Sequence, residues 1–232
     1  MTVDMQFRHR TLPEQLADHV VDLFATGELA AGQRLYENDF CERLNVSRVP
    51  IREAFRILGA QGVIRTEPNK GSYLTELGPD DVAELRDIRL SVERIGLRRL
   101  VRRVPTEPDI VGVLDQAVDR MRDAAKVADP LTYYRADLAF HADVIALSGS
   151  SLLKPLWESL SRSILVLLMR EKNEFFDYEA AINDHVLLVS LIRDGKGGAL
   201  DREIERHITN TYDTRVGRAK LVDAGEKFRG DA

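Results

Sequence analysis

The segment Asn45–Phe55, NVSRVPIREAF, sets where one helix starts and which way it faces. Ser47 is a residue type that caps helix N-termini through its hydroxyl. Pro50 falls in the first turn, where a missing N–H costs nothing. Arg48, Arg52 and Arg56 recur every four residues and share one face. Ile51, Phe55 and Leu58 take the opposite side, so the arginines should point to solvent. Asn45 stands at a corner that favours a left-handed backbone, which Asn tolerates well.

The neighbouring residues extend this pattern. Leu12 to Phe24 reads as a helix with Leu12, Leu16, Val20 and Leu23 on one stripe. The glycine-bearing TGELAAGQRL reads as a turn region. Glu37 to Leu44 is a short helix expected to bury Phe40, Cys41 and Leu44, and Ser47 to Gln61 is the helix described above, stopped by Gly62. Two β-prone runs, Val63–Thr66 and Ser72–Thr75, flank the turn signal Pro-Asn-Lys-Gly. Helix, corner and helix followed by a hairpin make a helix-turn-helix with a wing. In that arrangement the second helix enters the major groove, where the arginine fork matches guanine O6 and N7. The plain alternative is a solvated helix face.

Charge favours the DNA reading. The chain of 232 residues carries a net charge of −5, yet Arg43–Ser72 holds six cations and two anions, a local +4. A basic island on an acidic protein binds phosphate locally. The single cysteine, Cys41, excludes an internal disulfide and suits a reducing cytoplasm. The first ten residues hold no apolar run, and ILVLLM (Ile164–Met169) is too short to cross a bilayer. A cytoplasmic protein without membrane attachment is expected.

The run GQRLYENDFCERLNVSRVPIREAFRILGAQGVIRTEPNKGSYL resembles the winged helix of GntR-type bacterial transcription regulators, with their GVSRTPVREAL-like core. The resemblance spans Leu12 to Leu77. It implies that Ser47, Arg48, Pro50, Arg52, Lys70 and Gly71 face an operator and that Asn38 lies near a phosphate. Asn45, Cys41 and Val49 replace the usual glycine, alanine and threonine. The last change removes a hydroxyl.

Past Leu77-Gly78-Pro79 the pattern is helical almost to the end. The expected division is 1–78 and 79–232. Six helical stretches are legible: Asp80–Val104, Glu107–Val127, Leu131–Leu147, Leu152–Glu174, Glu179–Arg193 and Ala199–Leu221. The expected architecture is mainly α: an N-terminal winged helix-turn-helix and a C-terminal all-α antiparallel bundle.

Within the bundle, Asp137 and His141 lie four apart, on one helical face. His185 has Ile182, Leu188, Val189 and Ile192 as face neighbours. His207 has Ile204 and Ile208 beside it, with Thr211 one turn on. All three histidines should point inward. Bundles build metal sites from facing helices, and imidazole with carboxylate suits zinc, nickel, manganese or iron. Three satisfied core histidines are the alternative.

This second part resembles the all-helical effector (FCD) domain of the FadR subgroup of GntR regulators. There an aspartate and three histidines hold a divalent metal, here matched by Asp137, His141, His185 and His207. RLSVERIGLRRL resembles its first helix. The resemblance implies a sensor of small organic acids, with Arg89 gripping the effector carboxylate; pairing of a surface Arg89 with Glu93 is the other option. Ser148-Gly149-Ser150 stands where many relatives have SGN, so an effector contact from that asparagine would be absent or supplied by Ser150. The whole predicts a repressor or activator, with two winged helices of a homodimer on a palindromic operator. A metalloenzyme using the same Asp and His set is the competing class, and a purely structural metal the third.

Overall fold

The computed structural model describes residues 10–68, 70–170 and 176–209. The chain divides after Glu76 into two compact units. The expected ends of two helices, at Glu174 and Leu221, lie outside the described residues, as do Thr211 and Asn69 of the hairpin turn.

In the first unit α1 (Leu12–Thr26) packs on α3 (Arg48–Ala60), and α2 (Glu37–Leu44) also packs on α3. Leu16, Val20 and Leu23 are buried as the stripe requires. Leu12 is not: as the first residue of α1 it stays 48% exposed. Phe40 is the fully buried residue of α2, whereas Cys41 and Leu44 remain half-buried because so short a helix covers only one anchor deeply. Phe40 meets Phe55 of α3 edge to face, with ring centroids 5.5 Å apart.

The corner between α2 and α3 turns on Asn45, whose φ of 51° is left-handed. Gly62, at φ 73°, follows the end of α3. Ser47 occupies the N-cap with extended backbone, but its hydroxyl makes no capping bond. At an exposed helix end water satisfies the first N–H groups, which leaves this hydroxyl available to an outside partner.

The wing has three strands. β2 (Ile64–Glu67) and β3 (Gly71–Leu74) form the expected hairpin, in register Ile64↔Leu74 to Glu67↔Gly71. β1 (Arg34–Leu35) pairs antiparallel with the other edge of β3, where a turn was expected. Two residues are too few to show a strand period, and Leu35, 5% exposed, is what draws them inward.

The second unit contains α4 (Pro79–Arg103), α5 (Asp109–Lys126), α6 (Pro130–Leu147), α7 (Leu153–Arg170) and α8 (Tyr178–Arg193). A further helix, α9, is described over 197–209. The helix starts are chemically marked: Asp129 accepts from Thr132 N at 2.9 Å, and Asp177 from Ala180 N at 2.9 Å. α6 packs against α5, α7 and α4. Gly96 permits the approach to α4, since a Cβ there would stand 3.0 Å from Ile145 Cδ1. Arg103 and Arg99 of α4 then donate to Leu147 O and Ser148 O, at 2.5 and 3.0 Å. Cations at orphan C-terminal carbonyls are favourable, so α4 holds the end of the helix that carries Asp137 and His141.

Phe55→Ala should destabilise the protein by about 3–5 kcal/mol, read by urea unfolding. A change within about 0.5 kcal/mol, the size of an ordinary surface substitution, would show that the Phe40–Phe55 contact does not anchor α3.

Candidate metal centre and nucleic-acid interface

Asp137 and His141 of α6, His185 of α8 and His207 of α9 converge in the bundle, and all four are buried. One ligand atom from each lies within 4.8 Å of all the others. His141 Nε2 is 3.3 Å from His185 Nε2 and 3.4 Å from His207 Nε2. Asp137 Oδ1 stands 3.2 Å from His185 Nε2, and Oδ2 is 4.0 Å from His141 Nε2.

The hydrogens on two of the rings can be assigned. His185 Nδ1 lies 2.8 Å from Ala181 O, and a carbonyl only accepts, so Nδ1 carries a proton. His141 Nδ1 lies 2.5 Å from Glu93 Oε2 and donates to that carboxylate. In their neutral forms both rings therefore turn bare Nε2 lone pairs towards each other across 3.3 Å. That confrontation is repulsive unless a cation stands between them, either a divalent metal or a proton on His185 Nε2 that Asp137 Oδ1, 3.2 Å away, also accepts. Ligand atoms about 2.0–2.1 Å from a common zinc lie about 3.3 Å apart at tetrahedral angles, which matches the spacing. The residues present fit a divalent metal.

Charge around the centre is balanced in layers. Burial pushes Asp137 up, but its bond to His185 and the charges of His185, His141 and Arg89 outweigh that, and the carboxyl lies below its ordinary range. Burial likewise opposes ionisation of Glu93, and the charges of His141 and Arg89 overcome it. Burial holds His141 and, more strongly, His207 in the neutral form that a metal needs.

Arg89 is 1% exposed, and its Nε donates to Glu93 Oε1 at 2.6 Å. The expected pairing with Glu93 is present, but in the interior, one side chain removed from the histidines. Glu93 was read only as a partner of Arg89, and its contact with His141 is what the sequence reading did not contain. It completes a line Arg89–Glu93–His141, the carboxylate–histidine arrangement that orients metal ligands. The four-residue spacing signalled the pair with Arg89, but nothing local signals the step from α4 to His141 on α6. Ser150, placed where SGN would end, has its hydroxyl accepting from Leu153 N at 3.4 Å at the start of α7.

In the first unit α3 buries Ile51, Ala54, Phe55 and Leu58 and exposes Arg48, Arg52 and Arg56. Arg48 has no ion-pair partner among the described residues, and Val49 is 75% exposed beside it. Arg52 pairs with Glu37 at 2.8 Å, and Lys70 at the wing tip pairs with Glu67 at 3.2 Å. Asn38 and Ser47 are exposed and Pro50 is half-buried. Gly71 has φ 109°, and a Cβ there would lie 3.0 Å from Arg34 Nε. The structure thus gathers the basic side chains on α3 and the hairpin tip.

Known proteins match both units. Residues 12–74 match "Bacterial regulatory proteins, gntR family", and 84–210, more than half of the chain, match "FCD domain". The chain belongs to the gntR family of bacterial regulatory proteins. The gluconate operon transcriptional repressor of Bacillus subtilis (strain 168) is 27% identical over 193 residues, covering 81% of this chain and 78% of that one. The regulator LutR of the same organism is 27% identical over 218 residues, 84% and 97% of the two chains. The solved structure of E. coli McbR/YncC superposes with a TM-score of 0.76 at 17% identity over 90% of this chain and 99% of that one, a likeness of fold. This GntR regulator is thus a DNA-binding transcription regulator with an FCD domain, and these relatives are regulators rather than enzymes.

Two outcomes follow from the centre. Glu93→Gln should lower metal affinity about 10–100-fold, and His185→Ala should lower the metal content of purified protein with its helical circular dichroism retained. Unchanged affinity and stoichiometry would reject the cluster as a metal site. Separately, the unfolded chain protonates its histidines below about pH 6.5, whereas the fold keeps His141 and His207 neutral to lower pH. Unfolded chains then bind more protons, so metal-free protein should lose stability as pH falls from about 7 towards 5. Melting temperatures flat across that window would contradict the burial of both rings.

Proposed function

We propose that this regulator is a cytoplasmic homodimeric repressor that binds a palindromic operator and is controlled by a small carboxylate at a metal centre. The observation that carries the sensing half is the buried set Asp137, His141, His185 and His207, with ligand atoms within 4.8 Å of one another. Such a set is costly to bury unless a cation holds it. When bound, a divalent ion, zinc foremost with nickel, manganese or iron as alternatives, supplies positive charge and open coordination positions to an acid. Asp137 and the three imidazoles hold that ion. Glu93 fixes the His141 ring, and Arg89 offsets Glu93 while adding positive charge near an arriving carboxylate. The name of the gluconate operon repressor makes sugar acids a natural first class to test.

The reading half rests on the N-terminal face. Arg48 and Arg52 reach base edges or phosphates from the first turns of α3, where Pro50 and Ser47 set the start. Val49, which lacks the hydroxyl of the usual threonine, offers its methyl groups to a thymine methyl. Asn38, Lys70 and Gly71 lie along the backbone. Two such faces on a homodimer match a palindrome with half-sites about 34 Å apart. An acid changes operator affinity only by binding two arrangements of the protein differently, and a coupling of about 1–3 kcal/mol gives roughly 5–150-fold control.

The test is fluorescence anisotropy of metal-loaded full-length protein with operator fragments selected from its own genome, with and without acids. Arg52→Ala should weaken specific binding by about 1–3 kcal/mol. Equal affinity of mutant and parent across a salt series would overturn the α3 assignment. Indifference of operator affinity to chelator and to every acid tried would overturn the sensing half.

A further inference from the structure

Tyr133 lies on α6 one turn before Asp137 and two turns before His141, so the three share a stripe. It is 1% exposed, yet its hydroxyl has no hydrogen-bond partner among the described residues. A buried hydroxyl in that condition bears its full desolvation cost. The ring is packed against Tyr134, Phe176 and Tyr178, at centroid distances of 5.7, 5.6 and 4.7 Å. Burial first, and then the charge of Asp137, push the phenol pKa far up, so the group stays protonated and can donate.

The surrounding charge indicates what it would donate to. Asp137 and three neutral imidazoles around a divalent cation leave one positive charge, because Glu93 is already balanced by Arg89. A buried centre of that kind favours one negative charge from its ligand. A carboxylate answers it. Tyr133 stands one helical turn, about 5.4 Å, before Asp137 on α6 and would meet a second polar atom of the same ligand.

We infer that Tyr133 is a specificity-determining donor that hydrogen-bonds an oxygen on the carbon chain of a monocarboxylate held at the Asp137/His141/His185/His207 centre. The inference rests on the carboxylate-sensing reading above and adds the ligand class and the residue that selects it. Acids with a hydroxyl or oxo group satisfy Tyr133, whereas acetate leaves it unpaired.

The experiment is calorimetric titration of metal-loaded full-length parent and Tyr133→Phe with acetate, lactate and gluconate. Metal content and melting temperature without acid are measured beside it. The variant should keep its metal and melt at the same temperature as the parent or higher, because a hydroxyl without a protein partner is removed. It should bind acetate as the parent does and should bind the better of lactate and gluconate about tenfold more weakly. Equal affinity of parent and variant for all three acids overturns the inference but leaves carboxylate sensing intact. A variant that loses metal or melts lower makes the hydroxyl structural and also overturns it, as does a parent that binds acetate alone. A parent that binds none of the three defeats the sensing reading itself, and this inference with it.

Discussion

The contact between the Glu93 carboxylate and His141 Nδ1 sets the terms for the rest of the bundle. It fixes the His141 tautomer, and so it turns a bare nitrogen towards His185, whose own Nδ1 is tied to Ala181 O. A cation among the rings, a proton or a divalent metal, then relieves their repulsion. A second consequence follows, because an ionised Glu93 in the interior needs a positive neighbour besides the histidine, and Arg89 is that neighbour. Removing one member of a buried pair strands the other charge and costs about 3–5 kcal/mol. A third is steric. α4 must come close enough to α6 for Glu93 to reach His141, and Gly96, nearly touching Ile145, allows it.

The N-terminal unit obeys the opposite electrostatic rule. Its cations are exposed and held by half-buried carboxylates, Arg52 by Glu37 and Lys70 by Glu67. Pairs of this kind are worth about 0–1 kcal/mol and weaken with salt. A phosphate or guanine edge can therefore take over either cation at little cost. The carboxylates keep the side chains near the positions proposed for DNA contact without binding them firmly. What is firm is the backbone beneath: the Phe40–Phe55 contact, the left-handed Asn45 and the apolar side of α3.

Legibility in the sequence followed the range of the interaction. The helices of the bundle and the facing of α3 were readable because apolar period, proline and capping residues act within a few positions. Asn45 was readable for the same reason, since the corner constrains one φ angle. β1 was not: two residues carry no period, and their strand character comes from pairing with β3 far along the chain. The convergence of His141, His185 and His207 was foreseen as three inward faces, but the distances among them depend on packing that no local pattern encodes. Glu93 shows the limit best. Its four-residue spacing from Arg89 was plain, whereas its partnership with His141 joins α4 to α6. Ser47 shows the reverse failure: a strong local preference for a capping bond does not form where solvent serves the helix end equally well.

α4 gives the proposed control a short physical route. The helix begins at Pro79, directly after the point where the chain divides, and carries Arg89 and Glu93 further along its length. At about 1.5 Å per residue, its first residue and Arg89 are some 15 Å apart on one rigid rod. A ligand that draws on Arg89, or alters the charge that Glu93 feels through His141, bears on that rod rather than on a loop. Tight binding alone would achieve nothing, because a ligand of equal affinity for both arrangements shifts neither. What counts is whether the Arg89–Glu93–His141 line has different partners with and without the acid. In the proposed reading, a guanidinium already committed to Glu93 at 2.6 Å has something to lose when a second carboxylate arrives, and that competition would supply the differential affinity that regulation needs.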